Sequence, residues 1–142
     1  MSGFLLDTKV IFELVKVRPQ PRVTSWIEST DESLLYLSVL SIGEIRGGVA
    51  TLPQTKQRIT LEAWLQANLR PRFYGRILAI DDGVADRFGL LIAQAQKNRV
   101  VLPLVDGLLA ATALHHNLTY VTRNADHITT MGVGVFDPWL ES

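Results

Sequence analysis

The chain has 142 residues, 47% of them hydrophobic, and its 14 Lys and Arg balance its 14 Asp and Glu to a formal net charge of zero. That length fits one domain, which buries enough apolar surface to fold without a disulfide or structural metal. The absence of cysteine excludes disulfides, thiol nucleophiles and thiolate zinc sites, and it suits a reducing compartment. The opening Met1 to Asp7 meets an acid before any long apolar run and carries no basic segment, so it does not read as an export signal. The most apolar stretch, Val100 to Leu114, contains Pro103, Asp106 and Gly107 and falls short of a membrane span. Neutrality, taken at face value, argues against a nucleic-acid partner.

No linker, repeat or low-complexity tract divides the sequence, which is treated as a single unit, residues 1–142. Phe4-Leu5-Leu6 reads as a short buried strand ending at Asp7. Val10-Ile11-Phe12 and Leu14-Val15 have helical spacing, which Pro19 and Pro21 stop. Val23 to Ser29 reads as a short helix and Leu34 to Val39 as a second strand. Ser41-Ile42-Gly43-Glu44 has the form of a capping box opening a helix through Ile45 and Val49. An amphipathic helix is expected from Thr55 to Leu69, then an apolar strand Ile77 to Ile80 ending at Asp81. Val84 to Gln96 and Val105 to His116 are helical, Leu118 to Thr122 is a strand, and Val133 to Phe136 is the last strand. Short, solidly apolar strands alternating with helices predict an α/β fold with a mainly parallel central sheet. Ligands of such sheets bind beyond the carboxyl ends of the strands.

Four acidic or amide positions fall at those ends. Asp7 ends the first strand, Glu44 opens the helix after the second, and Asn124 and Asp126 follow Thr122-Arg123. Asp106 opens a late helix and joins them only if the fold brings it there. Each has a structural alternative: Glu44 as a capping-box partner of Ser41, Asp106 as a first-turn acid favoured by the helix dipole. Asp7 is harder to explain away, because a carboxylate at a buried sheet edge needs a partner or a cation. Several carboxylates together repel one another unless a divalent cation neutralises them. Hard oxygen donors select Mg²⁺ or Mn²⁺, which activate water and stabilise charge in phosphodiester hydrolysis.

The same residues resemble a known family. Phe4-Leu5-Leu6-Asp7-Thr8 and Leu37-Ser38-Val39-Leu40-Ser41-Ile42-Gly43-Glu44-Ile45-Arg46-Gly47-Gly48 look like the opening of a PIN-domain protein. Gly75-Arg76-Ile77-Leu78, then Asp106-Gly107-Leu108-Leu109-Ala110-Ala111-Thr112-Ala113, then Val121-Thr122-Arg123-Asn124 continue the match in order. Val135-Phe136-Asp137-Pro138-Trp139 is similar to the ending of the subgroup that contains the VapC and FitB toxins. The resemblance implies a three-layer α/β/α PIN-like fold and a cytoplasmic, Mg²⁺- or Mn²⁺-dependent endoribonuclease, the toxin of a toxin–antitoxin pair. It further implies a homodimer or dimer of heterodimers with a cognate antitoxin, which contacts operator DNA, and no membrane association. By position, Asp7, Glu44, Asp106 and Asn124 would hold the metal, with Asp126 completing the catalytic set around a metal-activated water. Thr8, Lys9, Thr122, Arg123 and Arg46 would contact the RNA substrate.

Two positions depart from the family pattern. Lys9 stands where the family has Asn, and Asn124 stands where it has an acid. Lys9 either weakens metal binding or contacts the scissile phosphate. An alternative reading is therefore a non-catalytic relative that binds antitoxin and nucleic acid, with Lys9 in the cation's place. An unrelated α/β phosphohydrolase acting on small phosphate esters is a third.

Other features have plainer readings. His115 and His116 read as surface residues at a helix end, and His127 is a lone histidine near the expected site. Trp64 reads as a core or dimer contact and Trp139 as a lock on the last strand. No Gly-x-Ser-x-Gly elbow and no P-loop is present, which argues against serine hydrolases and P-loop NTPases. Neutrality also conceals segregation. Arg46 to Arg76 holds six basic residues against one acid, Glu62, a net +5 that suits either a phosphate backbone or a solvated helix face.

Overall fold

A computed structural model describes residues 2–123, 126–129 and 131–140, with backbone only at 126 and 127. Five strands form one sheet in the order β3-β2-β1-β4-β5, and every neighbouring pair is parallel. They are β1 (Phe4–Leu6), β2 (Leu35–Ser38), β3 (Ile77–Leu78), β4 (Thr119–Val121) and β5 (Val135–Phe136). The central strand β1 aligns Leu5 with Tyr36 of β2 and with Tyr120 of β4. The N–H of Asp7 still donates to Val121 O at 2.9 Å, so β4 holds the backbone of β1 one residue past its end.

Helices cover both faces, giving three α/β/α layers. Alternation along the strands sends Leu6, Leu35, Leu37 and Val121 into one core. There they meet α1 (Thr8–Phe12), α2 (Pro21–Ser29), α3 (Val39–Ala50) and the segment from α4 (Lys56–Trp64) to α5 (Arg70–Arg72). Leu5 and Tyr120 enter the other core, against α6 (Asp82–Lys97), α7 (Leu104–His115) and α8 (Asp126–Thr129). Burial on both faces is why the strands are solid apolar runs. Among the described residues no helix is long and apolar enough to cross a membrane.

The backbone departs from the sequence expectations where local chemistry intervenes. Pro21 starts α2 at its first turn rather than stopping a helix, a position where a missing N–H costs nothing. The helix expected from Thr55 to Leu69 passes from α4 into a π turn, Leu65–Leu69, before Pro71 in α5. Pro71 has no N–H to donate to the preceding turn, so the regular ladder cannot continue there. The capping box at Ser41 does not form. Helix α3 begins three residues earlier, with Ser38 Oγ accepting the Leu40 N–H at 3.0 Å. Gly3 leads into β1 where the backbone of Leu34 leaves no room for a side chain: a Cβ there would lie 2.6 Å from Leu34 O and 2.8 Å from Tyr36 Cε1.

Glu13 is a buried acid that the sequence gives no reason to notice. Its side chain is 2% exposed, with Oε1 accepting from Lys16 Nζ at 2.6 Å and Oε2 from the Gln20 N–H at 2.9 Å. Burial works to raise its pKa, but those two donors, with the charges of Lys16 and Arg123, hold it below the ordinary 4.5. It thereby fastens the end of α1 to the start of α2.

Two predictions follow from this packing. Leu6→Ala, at a fully buried core position, lowers unfolding free energy in denaturant titration by about 2–5 kcal/mol. Val17→Ala, 98% exposed, changes it by less than about 0.5 kcal/mol. For Glu13 the folded-state pKa is depressed, so its contribution is present above the ordinary 4.5 and is lost as pH falls through the folded value. Glu13→Gln therefore lowers Tm at pH 7, and the gap to the natural chain closes in acid. A gap unchanged from pH 7 to strong acid would contradict this account.

Candidate active site

The carboxyl ends of β1 and β4 and the first turns of α1 and α7 enclose an open cleft of about 410 Å³. Asp7, Thr8, Lys9, Glu44, Asp106 and Thr122 all line it. Three acids from three distant parts of the sequence therefore face one space. Asp106, which spacing left unplaced, is brought in because α7 starts at this edge, with Asp106 half-buried in its first turn.

Asp7 is held most firmly. It caps α1, its Oδ1 accepting the Thr8 N–H at 2.8 Å, and its Oδ2 accepts the Thr122 hydroxyl at 3.0 Å. The Tyr120 hydroxyl from the core beneath also hydrogen-bonds the carboxylate. Burial nevertheless pushes the Asp7 carboxyl above its ordinary 3.8. The donors from Thr122, Thr8 and Tyr120 offset part of that rise, and the Glu44 charge adds to it. Burial, with the charges of Asp7 and Asp106, drives the Tyr120 phenol far above its usual range, so it remains a proton donor.

Glu44 is fixed from α1. The Thr8 hydroxyl donates to Glu44 Oε1 at 2.6 Å and lies 3.0 Å from Ser41 Oγ, both threonine and serine being buried. Because Ser38 caps α3, Glu44 is freed from the capping role that its spacing from Ser41 suggested. Lys9 is exposed at the rim of the cleft.

Other expected residues stand elsewhere. Arg46 is two residues past Glu44, about 200° around the helix, and its guanidinium reaches Glu62 at 3.8 Å instead of the cleft. Arg123 lies over the Trp139 ring at 5.3 Å from its centroid, so Trp139 seats a cation as well as closing the chain's end. Asn124 lies outside the described residues. Asp126 begins α8, but its side chain, like that of His127, also lies outside them. Four arginines of the basic stretch are ion-paired: Glu62 pairs with Arg46 and Arg58, and Glu32 pairs with Arg72 and Arg76. Glu32 comes from before β2, so a count along the sequence could not see it. Trp64 packs partly buried against the core, as its spacing suggested.

Tyr120 and Ser41 are site residues that sequence reasoning missed. The available signal for Tyr120 was a hydroxyl inside an otherwise apolar strand, which in a buried place needs a polar partner.

The donor set fits a hard divalent cation: carboxylate oxygens, with neutral hydroxyls arranged to orient them and no sulfur or imidazole among the described lining residues.

A family model described as PIN domain matches residues 4–131. Toxin FitB of Neisseria gonorrhoeae is 37% identical over 135 residues, covering 95% of this chain and 97% of that protein. The VapC ribonuclease Y4jK of Sinorhizobium fredii is 34% identical, with 95% and 96% covered. The solved structure of FitAB bound to IR36 DNA fragment contains a chain that superposes with a TM-score of 0.91 at 35% identity, covering 96% of this chain and 95% of that one. With a family model matching residues 4–131 and relatives 37% and 34% identical over 95% of its length, the chain belongs to the PIN-domain family.

Proposed function

We propose that this protein is a divalent-metal-dependent endoribonuclease, the toxin of a toxin–antitoxin pair. The observation that carries the reading is Asp7: a carboxylate costly to bury, facing Glu44 and Asp106 across an open cleft. Asp7, Glu44 and Asp106 would hold Mg²⁺ or Mn²⁺, with Asn124 and Asp126 assigned to the same shell by position. Such an ion supplies a nucleophilic water at neutral pH and stabilises charge on a phosphodiester. Thr122 and Tyr120 orient Asp7, and Thr8 orients Glu44, which would fix both carboxylates in the cleft wall for an ion. Lys9, exposed among the residues that line the cleft, would meet a phosphate of the RNA backbone.

The similarity to toxin FitB and to a VapC ribonuclease supports the nuclease and toxin roles. Likeness to FitAB, which binds a DNA fragment, supports a cognate antitoxin that carries the complex to operator DNA. We assign a homodimer, or dimer of heterodimers with the antitoxin, as its assembly, and the cytoplasm as its compartment.

The test is Asp7→Asn, assayed on single-stranded RNA with Mn²⁺ or Mg²⁺. Cleavage falls by more than the roughly 10–100-fold that losing an outer-shell partner costs. Retained metal-dependent cleavage would overturn the assignment. The same variant has a second expected property. A carboxyl whose folded pKa is raised detracts from stability above that value, and the penalty fades as pH falls towards the ordinary 3.8. In EDTA at pH 8, Asp7→Asn therefore melts no lower than the natural chain, and any advantage shrinks on acidification.

A further inference from the structure

Helices α6 and α7 run side by side, and their ends bring together a second group of metal-ligating side chains. Asp81 caps the start of α6, with Oδ1 accepting the Val84 N–H at 3.0 Å and Oδ2 left outside that cap. His115 ends α7 and His116 caps it, their rings 4.8 Å apart at 80°. One ligand atom from each of the three residues lies within 4.8 Å of the other two, and all three residues are exposed.

The His115 imidazole packs against the first turn of α6, on the same side as Asp81: a Cβ on Gly83 would stand 2.6 Å from its Nε2 and 2.9 Å from its Nδ1.

We propose that Asp81, His115 and His116 form a second metal site, taking a borderline transition-metal ion of the Zn²⁺ class and stapling the start of α6 to the end of α7. Two imidazoles and a carboxylate are the donors Zn²⁺ prefers, whereas the cleft offers oxygens alone. Tetrahedral ligand atoms around zinc lie about 3.4 Å apart, a contraction that exposed side chains reach by rotamer adjustment. Exposure leaves the fourth position to water. The site is distinct from the acidic cleft. Asp106 and His115 sit nine residues apart on one helix, about 14 Å, so one ion cannot serve both. Binding to the folded chain alone raises its melting temperature.

The test is a Zn²⁺ titration of the untagged full chain, followed by calorimetry and by ¹⁵N-resolved NMR of the histidine rings. The ring signals of His115 and His116 shift together with saturation, Tm rises, and the double variant His115→Ala/His116→Ala loses affinity by more than about tenfold. His116→Gln, a milder change at an exposed helix end, weakens binding in the same direction. Mn²⁺ binding at the cleft is unaffected by either variant, which separates failure of this site from failure of the nuclease reading. Zn²⁺ affinity unchanged in the double variant, shifts confined to His127, or no detectable binding would each overturn the proposal.

Discussion

The carboxylate of Asp7 sits where the central strand of a sheet buried on both faces runs out, and the rest of the molecule is arranged around that charge. Its backbone is tied to β4, its side chain starts α1, and Thr122 and Tyr120 donate to it. Those donors keep it in one orientation without removing the cost of burial, because its pKa remains raised. Burying a carboxylate beside Glu44 is unfavourable in the metal-free chain. Hard donors at this edge favour an ion, and the proposed activity uses that same imbalance.

The sheet topology explains why the three acids meet. Strand β1 lies between β2 and β4, so whatever follows β1, β2 and β4 converges at one edge. Glu44 enters from α3, directly after β2, and Thr122 from the end of β4. Asp106 enters from the start of α7, whose small, buried residues Ala110, Ala111 and Ala113 let it lie close against the sheet. The cleft and the Asp81–His115–His116 group occupy opposite ends of that helix.

Much of this was legible in the sequence because it depends on local pattern. Solid apolar runs marked the strands, and acids at their ends marked the edge where chemistry gathers. The family resemblance grouped Asp106 with Asp7 and Glu44, and all three line the same cleft. The misreadings share one cause: a local pattern was overridden by a partner distant in sequence. Ser41 and Glu44 have capping-box spacing, but Thr8 engages both, and Ser38 takes the cap. Arg46 lies in the expected motif, yet helix rotation sends it to Glu62. Four of the five arginines counted from Arg46 to Arg76 are ion-paired, and one of their two partners, Glu32, comes from outside the counted stretch. Overall neutrality said little about nucleic acid in either direction. What it concealed was a separation, with acids gathered in the cleft and most arginines of the long helical segment paired away from it.

The most direct test of the central claim is a carbon-13 NMR titration of the Asp7 carboxyl, in EDTA and again with saturating Mg²⁺. Glu44 and Asp106 face it across the cleft, Tyr120 and Thr122 donate from β4, and Lys9 lies at the rim. The account predicts a midpoint above 3.8 in EDTA, from burial and from the Glu44 charge, and a marked fall when Mg²⁺ is added. A metal-free midpoint at or below 3.8, or one that Mg²⁺ leaves unchanged, would contradict it.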